Sequence, residues 1–436
     1  MPKSLAAYHR YTLNGIVSLL LLTFGVGCTL IQPPLSDNMK VALKEAYQNN
    51  DYFTLREHLD SCSTWLRTPE INLYRATEAT YFNRPEEAQR FIQRFLTTAK
   101  TQPDSSVTVV WQLALTNQLR LGNYRAAANA ADTLTNLLEK QHNHEAANDY
   151  REQSRLWHGL ETVGAMTCTK DATSRVSLKR DKAGRPSLPI AVGKFAADFM
   201  LDMRVGFSFV SATQAKRMGI HTLPLTTMAA SVRGEAVEGA LAVVPELSVG
   251  VARIKNAIFL VMPDKAFVYP DGTTAAGIIG FPVLSAMQEV AFTRDEYLLI
   301  PREATTTKGK PNFYLDAMTP VTLAICEGAP LAFRLDMENS LSALYAPFYN
   351  RYREKIEHNY SLDSVRVGKQ IVKTFLVKEI NFGIGNAIAK VDSIHVFTQT
   401  PRGLMADYYG SLGRDVIGQF EEMRINFSTM QISFKK

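Results

Sequence analysis

The sequence predicts an α + β protein of several domains, in which N-terminal helical hairpins precede a mostly β region made of two lobes. Residues 36–164 are rich in Ala, Leu, Glu, Gln and Arg and poor in Gly, which favours helices. After about residue 165, Val, Ile, Phe and Gly become frequent and apolar residues alternate with polar ones, which is typical of strands. Within that second region, one pattern of residues occurs twice.

The composition narrows the class of protein. Apolar residues make up 46% of the 436 residues and charged residues 21%, which excludes a disordered, collagen-like or disulfide-stapled chain. The net charge of +6 is spread along the chain, and we expect no nucleic-acid partner. We also expect no cofactor, because 277–280 lacks the lysine of a phosphate-binding loop. No metal site is predicted, since two histidines two residues apart (142–145) do not share a helix face.

The first 28 residues indicate a targeting segment. Lys3 and Arg10 precede an apolar run at 16–26 that is too short to span a membrane and suits a signal peptide. The run ends in small residues and Cys28, which resembles a bacterial lipobox, although Gly25 stands where Leu is usual. The resemblance implies lipidation of Cys28 and a lipid-anchored protein of the bacterial cell envelope, facing the periplasm or at the outer membrane. An ordinary signal peptide and an uncleaved anchor remain open.

Three further cysteines are far apart and odd in number: Cys62, Cys168 and Cys326. No CxxC spacing occurs, so a zinc site is not predicted. We expect buried, thiol-bearing small side chains, with one disulfide left open.

The helical region, 36–164, contains three similar turns, at 49–52, 83–88 and 121–127. Their spacing of about 34–39 residues resembles the tetratricopeptide repeat. Pro85 at a helix start and the small residues Ala88 and Ala127 fit that repeat. The resemblance implies a concave surface for a protein partner. The alternative is a module that packs against the rest of the chain.

The β region reads as a duplication. Two Leu-Asp-Met triplets, at 201–203 and 335–337, lie 134 residues apart. Later landmarks follow in the same order: a turn at 233–234 and again at 367–368, a strand end at 247–250 and 380–383, and a Gly-containing motif at 279–284 and 412–417. We therefore predict two equivalent lobes, 186–302 and 311–436.

Each repeat resembles one lobe of a retropepsin- or pepsin-like aspartic protease, and the resemblance covers about 186–436. It implies closed β-barrel lobes with an extended peptide bound in the cleft between them. It assigns Asp202 and Asp336 as the catalytic pair, which would share one proton because two adjacent carboxylates resist ionising together. It also implies flaps over the cleft, with candidate tips at Gly234 and Gly368.

Both motifs depart from the family's Asp-Thr/Ser-Gly. Met203 and Met337 replace the hydroxyl residue and carry no donor, while Arg204 and Glu338 replace the glycine. One hypothesis is that Arg204 and Glu338 form an ion pair across the dyad. A second is that Arg204 neutralises Asp202 or Asp336 and so prevents proton sharing. Solvated loop charges are the third.

These observations predict an envelope lipoprotein that binds an extended peptide or protein segment without turnover. Two alternatives stay open: an active aspartic endopeptidase that uses Asp202 and Asp336, and a structural docking protein of an envelope assembly, with the helical region as its docking face. The aromatic and basic stretch 345–360 is predicted to be a helix that packs on the second lobe or docks a partner.

Overall fold

The computed structural model describes residues 36–62, 68–306, 309–337, 339–367, 370–399 and 408–436. The predicted signal peptide, its lipidation site Cys28, the motif residue Glu338 and the flap residue Gly368 lie outside these ranges. In the described part of the chain, no helix is long and apolar enough to cross a membrane.

The N-terminal region is helical, as predicted. Its helices are α1 (Asp37–Gln48), α2 (Tyr52–Ser61), α3 (Pro69–Tyr81), α4 (Pro85–Leu96), α5 (Asp104–Arg120), α6 (Tyr124–Lys140) and α7 (His144–Gly159). The three similar turns join α1 to α2, α3 to α4 and α5 to α6. Each contains a residue in the left-handed region, namely Asn50, Asn83 or Gly122, with φ of 54°, 54° and 66°. Asn and Gly tolerate this conformation best, which explains their recurrence there. Membership of the tetratricopeptide family stays a prediction.

The β region begins at Thr167, soon after the last helix, and is mostly strand, as predicted. Its strands up to residue 300 are β1 (Thr167–Lys170), β2 (Ser174–Ser177), β3 (Lys179–Arg180), β4 (Pro186–Val192), β5 (Phe195–Leu201), β6 (Ser208–Ser211), β7 (Thr222–Ala230), β8 (Ala236–Val249), β9 (Ala252–Met262), β10 (Gly277–Ile279), β11 (Glu289–Thr293) and β12 (Tyr297–Ile300). Two short helices, α8 (Ala212–Met218) and α9 (Phe281–Ala286), lie among them.

The second lobe repeats this order of elements. Its strands are β13 (Phe313–Asp316), β14 (Thr319–Cys326), β15 (Ala329–Leu335), β16 (Ala343–Leu344), β17 (Leu362–Val367), β18 (Gln370–Ile384), β19 (Ala387–Phe397), β20 (Gly410–Leu412), β21 (Glu422–Asn426) and β22 (Gln431–Lys435). Its helices are α10 (Ala346–Arg351), α11 (Arg353–Asn359) and α12 (Arg414–Ile417). The stretch 345–360 thus forms two short helices rather than the single helix expected, with a break at Tyr352.

Each lobe has its own sheet, and a third sheet joins the lobes. The first lobe pairs its strands in the order β1-β9-β6-β10-β5-β4-β8-β7, and the second in the order β13-β14-β15-β20-β16-β19-β18-β17. The joining sheet, β2-β12-β11-β21-β22, pairs β11 of the first lobe with β21 of the second, antiparallel, with Ala291 opposite Arg424. This shared sheet fixes one lobe relative to the other. Closure of either lobe into a barrel stays a prediction.

The helical region packs against one face of the first lobe. The Trp157 ring of α7 stacks on Phe207 of the first lobe, with ring centroids 5.8 Å apart, and on Tyr124 of α6 at 6.1 Å. We call this the covered face. Its apolar side chains share one continuous cluster with side chains of α3 to α7. They include Met200, Val205, Phe207, Phe209 and Ile278.

The same helices also reach the second lobe, at its first strand. The ring of Phe53 lies 5.2 Å from that of the buried Tyr314 on β13. The Asn83 side chain donates to the carbonyl of Phe427 (3.0 Å), and Arg120 donates to the carbonyl of Ala317 (3.3 Å). Contact with both lobes agrees with the packing alternative for the helical region.

Candidate functional site

The two aspartates of the repeated motif have the same backbone setting. Asp202 directly follows β5, and its N–H donates to the carbonyl of Ile279 on the parallel strand β10 (3.1 Å). Asp336 directly follows β15, and its N–H donates to the carbonyl of Leu412 on the parallel strand β20 (2.9 Å). A strand that ends beside a parallel neighbour thus presents each carboxyl group at an equivalent position of its lobe.

A serine in each lobe supports the loop that carries the aspartate. The hydroxyl of Ser208 accepts from the N–H of Gly280 (3.1 Å), and that of Ser342 accepts from Gly413 (2.8 Å). A Cβ on Gly280 would stand 2.5 Å from the carbonyl oxygen of Phe207, so a larger residue does not fit. The motifs by themselves assign these serines no role. Their common offset of 134 residues was the signal available.

The two aspartates lie together between the lobes. A single small cavity of about 10 Å³ is lined by Pro186, Leu201, Asp202, Met203, Arg204, Leu335, Asp336 and Met337. This volume accommodates roughly one water molecule. The carboxyl side chains are mostly withdrawn from solvent, with 15% of Asp202 and 7% of Asp336 exposed. The predicted pairing of these residues across the lobes is therefore present in the structure.

Arg204 places its guanidinium group on both carboxylates. Its Nε and Nη2 donate to the two oxygens of Asp202, at 3.1 and 3.2 Å, and its backbone N–H donates to Oδ1 at 2.8 Å. Its Nη1 lies 3.9 Å from Oδ2 of Asp336. Asp336 also accepts from the side-chain amide of Asn339 at 2.7 Å. Of the arrangements considered for Arg204, this is the neutralising one, and the pair with Glu338 falls outside the described residues.

The cation changes what the two carboxylates do. Two like charges held close raise the cost of ionising both, which is why an aspartic dyad shares a proton. Here a guanidinium group lies against both carboxylates, and its fork matches carboxylate geometry. The pair of carboxylates at this site is thus accompanied by a positive charge.

The methionines of the two motifs are apolar side chains of the site. Met203 is buried in the core that joins the lobes, and Met337 packs against the same core. Neither thioether supplies a hydroxyl donor, so the hydrogen-bonded brace of the family motif has no chemical equivalent at these two positions. Packing and the Arg204 contacts hold the loops instead.

The first predicted flap is a hairpin, and it is tied down. Gly234 lies in the turn between β7 and β8 with φ of 79°, and its N–H donates to the carbonyl of Ser231 (2.8 Å). Beside it, Arg233 donates from Nε to the carbonyl of Val268 (2.7 Å). On the covered side, Arg155 of α7 donates to the carbonyl of Thr226 on β7 (2.6 Å). A flap function for Gly234 stays a prediction.

The cysteines and the histidines suggest no further chemistry. Cys62 and Cys326 are buried free thiols, and Cys168 is half-buried and free. Burial raises the pKa of the Cys326 thiol to about 12, so it is un-ionised near neutral pH. Across the described ranges, no group of three His, Cys, Asp or Glu side chains is placed to hold a metal ion.

Comparison with known proteins agrees with this geometry for the first lobe. Residues 188–283 match the family model for aspartyl proteases, so this chain contains an aspartyl protease-like domain. The matched segment runs from β4 through α9 and includes Asp202 and its supporting Gly280. No curated protein matches the chain.

Proposed function

We propose that this chain is an aspartic-protease-like protein that binds an extended peptide or protein segment between its lobes and does not hydrolyse it. The observation that carries the proposal is the Arg204 guanidinium lying on both Asp202 and Asp336. Aspartic proteolysis uses one carboxylate as base on a water and the protonated partner as acid. In this chain the Arg204 guanidinium group engages both carboxylates, and we expect it to keep them from taking these two roles.

The second lobe offers the better place for a peptide main chain. Strand β17 (Leu362–Val367) is the last strand of its sheet, so one of its edges has no partner strand within the described residues. An edge of this kind supplies main-chain donors and acceptors for strand addition. The matching strand of the first lobe, β7, has helix α7 beside it. The proposed segment therefore runs along the second-lobe side of the cleft.

The anchored location is a further part of the proposal. The N-terminal pattern that ends at Cys28 supports a lipoprotein of the bacterial cell envelope, held to the membrane by its lipid. Metabolic labelling of the full chain with a palmitate analogue tests this. We expect label in the wild type and none in Cys28→Ser, and equal labelling of both would contradict the lipid site.

A cleavage assay tests the lack of turnover. Wild type, Asp202→Asn and Asp336→Asn are incubated with a diverse peptide library between pH 3 and 7. We expect no cleavage by any of the three. Cleavage by the wild type that disappears in both variants would overturn the proposal and establish the alternative, an aspartic endopeptidase.

Replacing Arg204 gives a second test, in which the free energy of unfolding is measured. Arg204→Gln leaves two withdrawn carboxylates without their partner, so we expect a loss of about 2 kcal/mol of unfolding free energy at pH 7. The control is Arg175→Gln, which removes an exposed ion pair with Asp295 and should cost less than about 0.5 kcal/mol. A loss in Arg204→Gln no larger than that of the control would count against neutralisation by Arg204.

A further inference from the structure

Arg334 is a buried arginine of the second lobe. It lies on β15, two residues before Asp336, and only 8% of it is exposed. Its Nε is enclosed and has no hydrogen-bond partner. Among the described residues, no hydrogen bond or ion pair to its guanidinium group is present. A cation withdrawn from water without a partner costs several kcal/mol, so an arginine that serves only packing is a poor choice at this position.

The duplication shows what the position holds in the other lobe. Arg334 corresponds to Met200, which lies on the covered face among side chains of the helical region. Among the described residues, no side chain of the corresponding face in the second lobe belongs to the apolar cluster that the helices form. The residue that matches Phe207 there is Leu341, which is 66% exposed. Since neighbouring side chains of a strand point to opposite faces, and Leu335 is in the core, Arg334 points to this second face.

Polar groups surround Arg334 on that face. Ser411 is its register partner on β20, and the Tyr345 hydroxyl donates to Ser411 Oγ at 2.9 Å. Burial raises the pKa of Tyr345, and the nearby charge of Arg334 opposes that rise. Asp336 is already engaged by Arg204 and Asn339.

The charge balance admits one more anion. Asp202 and Asp336 contribute two negative charges, and Arg204 and Arg334 two positive ones, so these four groups sum to zero. A carboxylate that approaches Arg334 is therefore not repelled by a net negative charge of these four groups. The fork of a guanidinium matches a carboxylate with two parallel hydrogen bonds.

We propose that Arg334 is an anion subsite of the second lobe, which takes a carboxylate group of the bound segment. The inference rests on the proposed peptide binding and gives its substrate class: an extended peptide with an acidic side chain or a free C-terminus beside Asp336. The two carboxylate sources share the same chemistry and are separated by the test.

The test uses the full chain and three decapeptides of Ala, Val and Thr, each labelled with an uncharged BODIPY dye so that the label adds no carboxylate. One carries a central Glu and an amidated C-terminus, one a central Gln and an amidated C-terminus, and one a central Gln and a free C-terminus. Fluorescence anisotropy gives the dissociation constants. We expect a carboxylate peptide, through either source, to bind the wild type at least tenfold more tightly than the uncharged one.

The variant Arg334→Met copies the residue that the first lobe uses. We expect the carboxylate preference to fall to about one, with little change for the uncharged peptide. The control Arg353→Met removes an exposed arginine of α11 and should keep the preference. Equal binding of all three peptides by the wild type would overturn the subsite while leaving peptide binding intact. Binding of none would overturn the proposed function and the subsite together.

Thermal unfolding keeps the inference testable without a ligand. Because Arg334→Met removes an unpaired buried cation, we expect its Tm without peptide to rise above that of the wild type. With the carboxylate peptide added, the wild type should gain Tm and the variant should not. A lower Tm in the variant would show that Arg334 supports the fold, and would contradict a site kept for an anion.

Discussion

The two lobes share a backbone frame but differ in what covers their equivalent faces. In both, the aspartate N–H reaches a parallel strand and a serine hydroxyl supports a glycine of the second motif. On the covered face, however, Met200 and Phe207 of the first lobe cluster with side chains of the helices, whereas among the described residues the equivalent Arg334 and Leu341 are not part of that cluster. The backbone hydrogen bonds around the aspartate are therefore the same in both repeats. The side chains on the face differ, because different elements pack against that face in each lobe.

The β7–β8 and β17–β18 hairpins also differ in how much of the rest of the molecule contacts them. The β7–β8 hairpin is fixed by Arg155 on one side and by Arg233 near its tip. In the β17–β18 hairpin, Ile371 is 72% exposed and Leu362 is also exposed. Exposed large apolar residues of this kind favour a binding surface over a packed one. Together with the edge position of β17, these residues support the proposal that the second lobe takes part in recognition.

The largest expected effect comes from giving the first lobe the residue of the second. Met200→Arg puts a cation under the helices without a partner, and we expect a loss of about 3–5 kcal/mol of unfolding free energy. Phe195→Arg on the same strand is the control, since Phe195 is exposed and the change should stay within about 0.5 kcal/mol. Chemical denaturation measures both. If both variants lost equally little unfolding free energy, the helices would not pack on the covered face in solution.

A smaller loss of unfolding free energy is expected when the Trp157 ring is removed from the contact between the helices and the first lobe. Trp157→Ala removes the rings stacked between Tyr124 and Phe207, and we expect a cost of about 3 kcal/mol. The comparison change in the second lobe is Leu341→Ala, at the position that matches Phe207, which removes an exposed side chain and should cost less than about 0.5 kcal/mol. Similar losses of unfolding free energy in the two variants would contradict the claim that helices pack on this face in the first lobe only.

The smallest effect concerns the tied hairpin. Arg155→Ala removes the hydrogen bond to the carbonyl of Thr226, and we expect a loss of about 1 kcal/mol. Amide hydrogen exchange should show faster exchange along β7 and unchanged exchange along β17. Arg151→Ala, on the same helix α7, is the control, because its contacts are to Asn148 and Glu139 and not to β7. Faster exchange in both hairpins would point to a global loss of stability.

Much of the fold was predictable because its signals are local or periodic. The succession of helices and strands follows from composition and periodicity, and the three helix turns from Asn and Gly in the left-handed region. The aspartyl protease-like domain of the first lobe was predicted from one repeated motif and is confirmed by the family match at 188–283. The lipoprotein signal, the tetratricopeptide likeness and the peptide partner stay predictions.

The candidate site was predictable in part. The sequence named Asp202 and Asp336, whose 134-residue separation is a property of the duplication. It could not select between a cation on the aspartates and a pair with Glu338, because Arg204 is two residues from one aspartate and 132 from the other. Its supports Ser208, Ser342 and Asn339 were missed, since a polar residue near a motif has many possible partners.

By itself, the sequence determined the order of elements, the duplication and the residues that stand at the centre of each motif. Backbone conformation depends largely on residues that are close along the chain, so these features can be predicted from the residue pattern. Only the tertiary structure decided that Arg204 bridges the aspartates, that Met200 clusters with side chains of the helices and that Arg334 is buried with its Nε unpartnered among the described residues. The charge and burial of a side chain depend on which distant elements pack around it, and that information is not local.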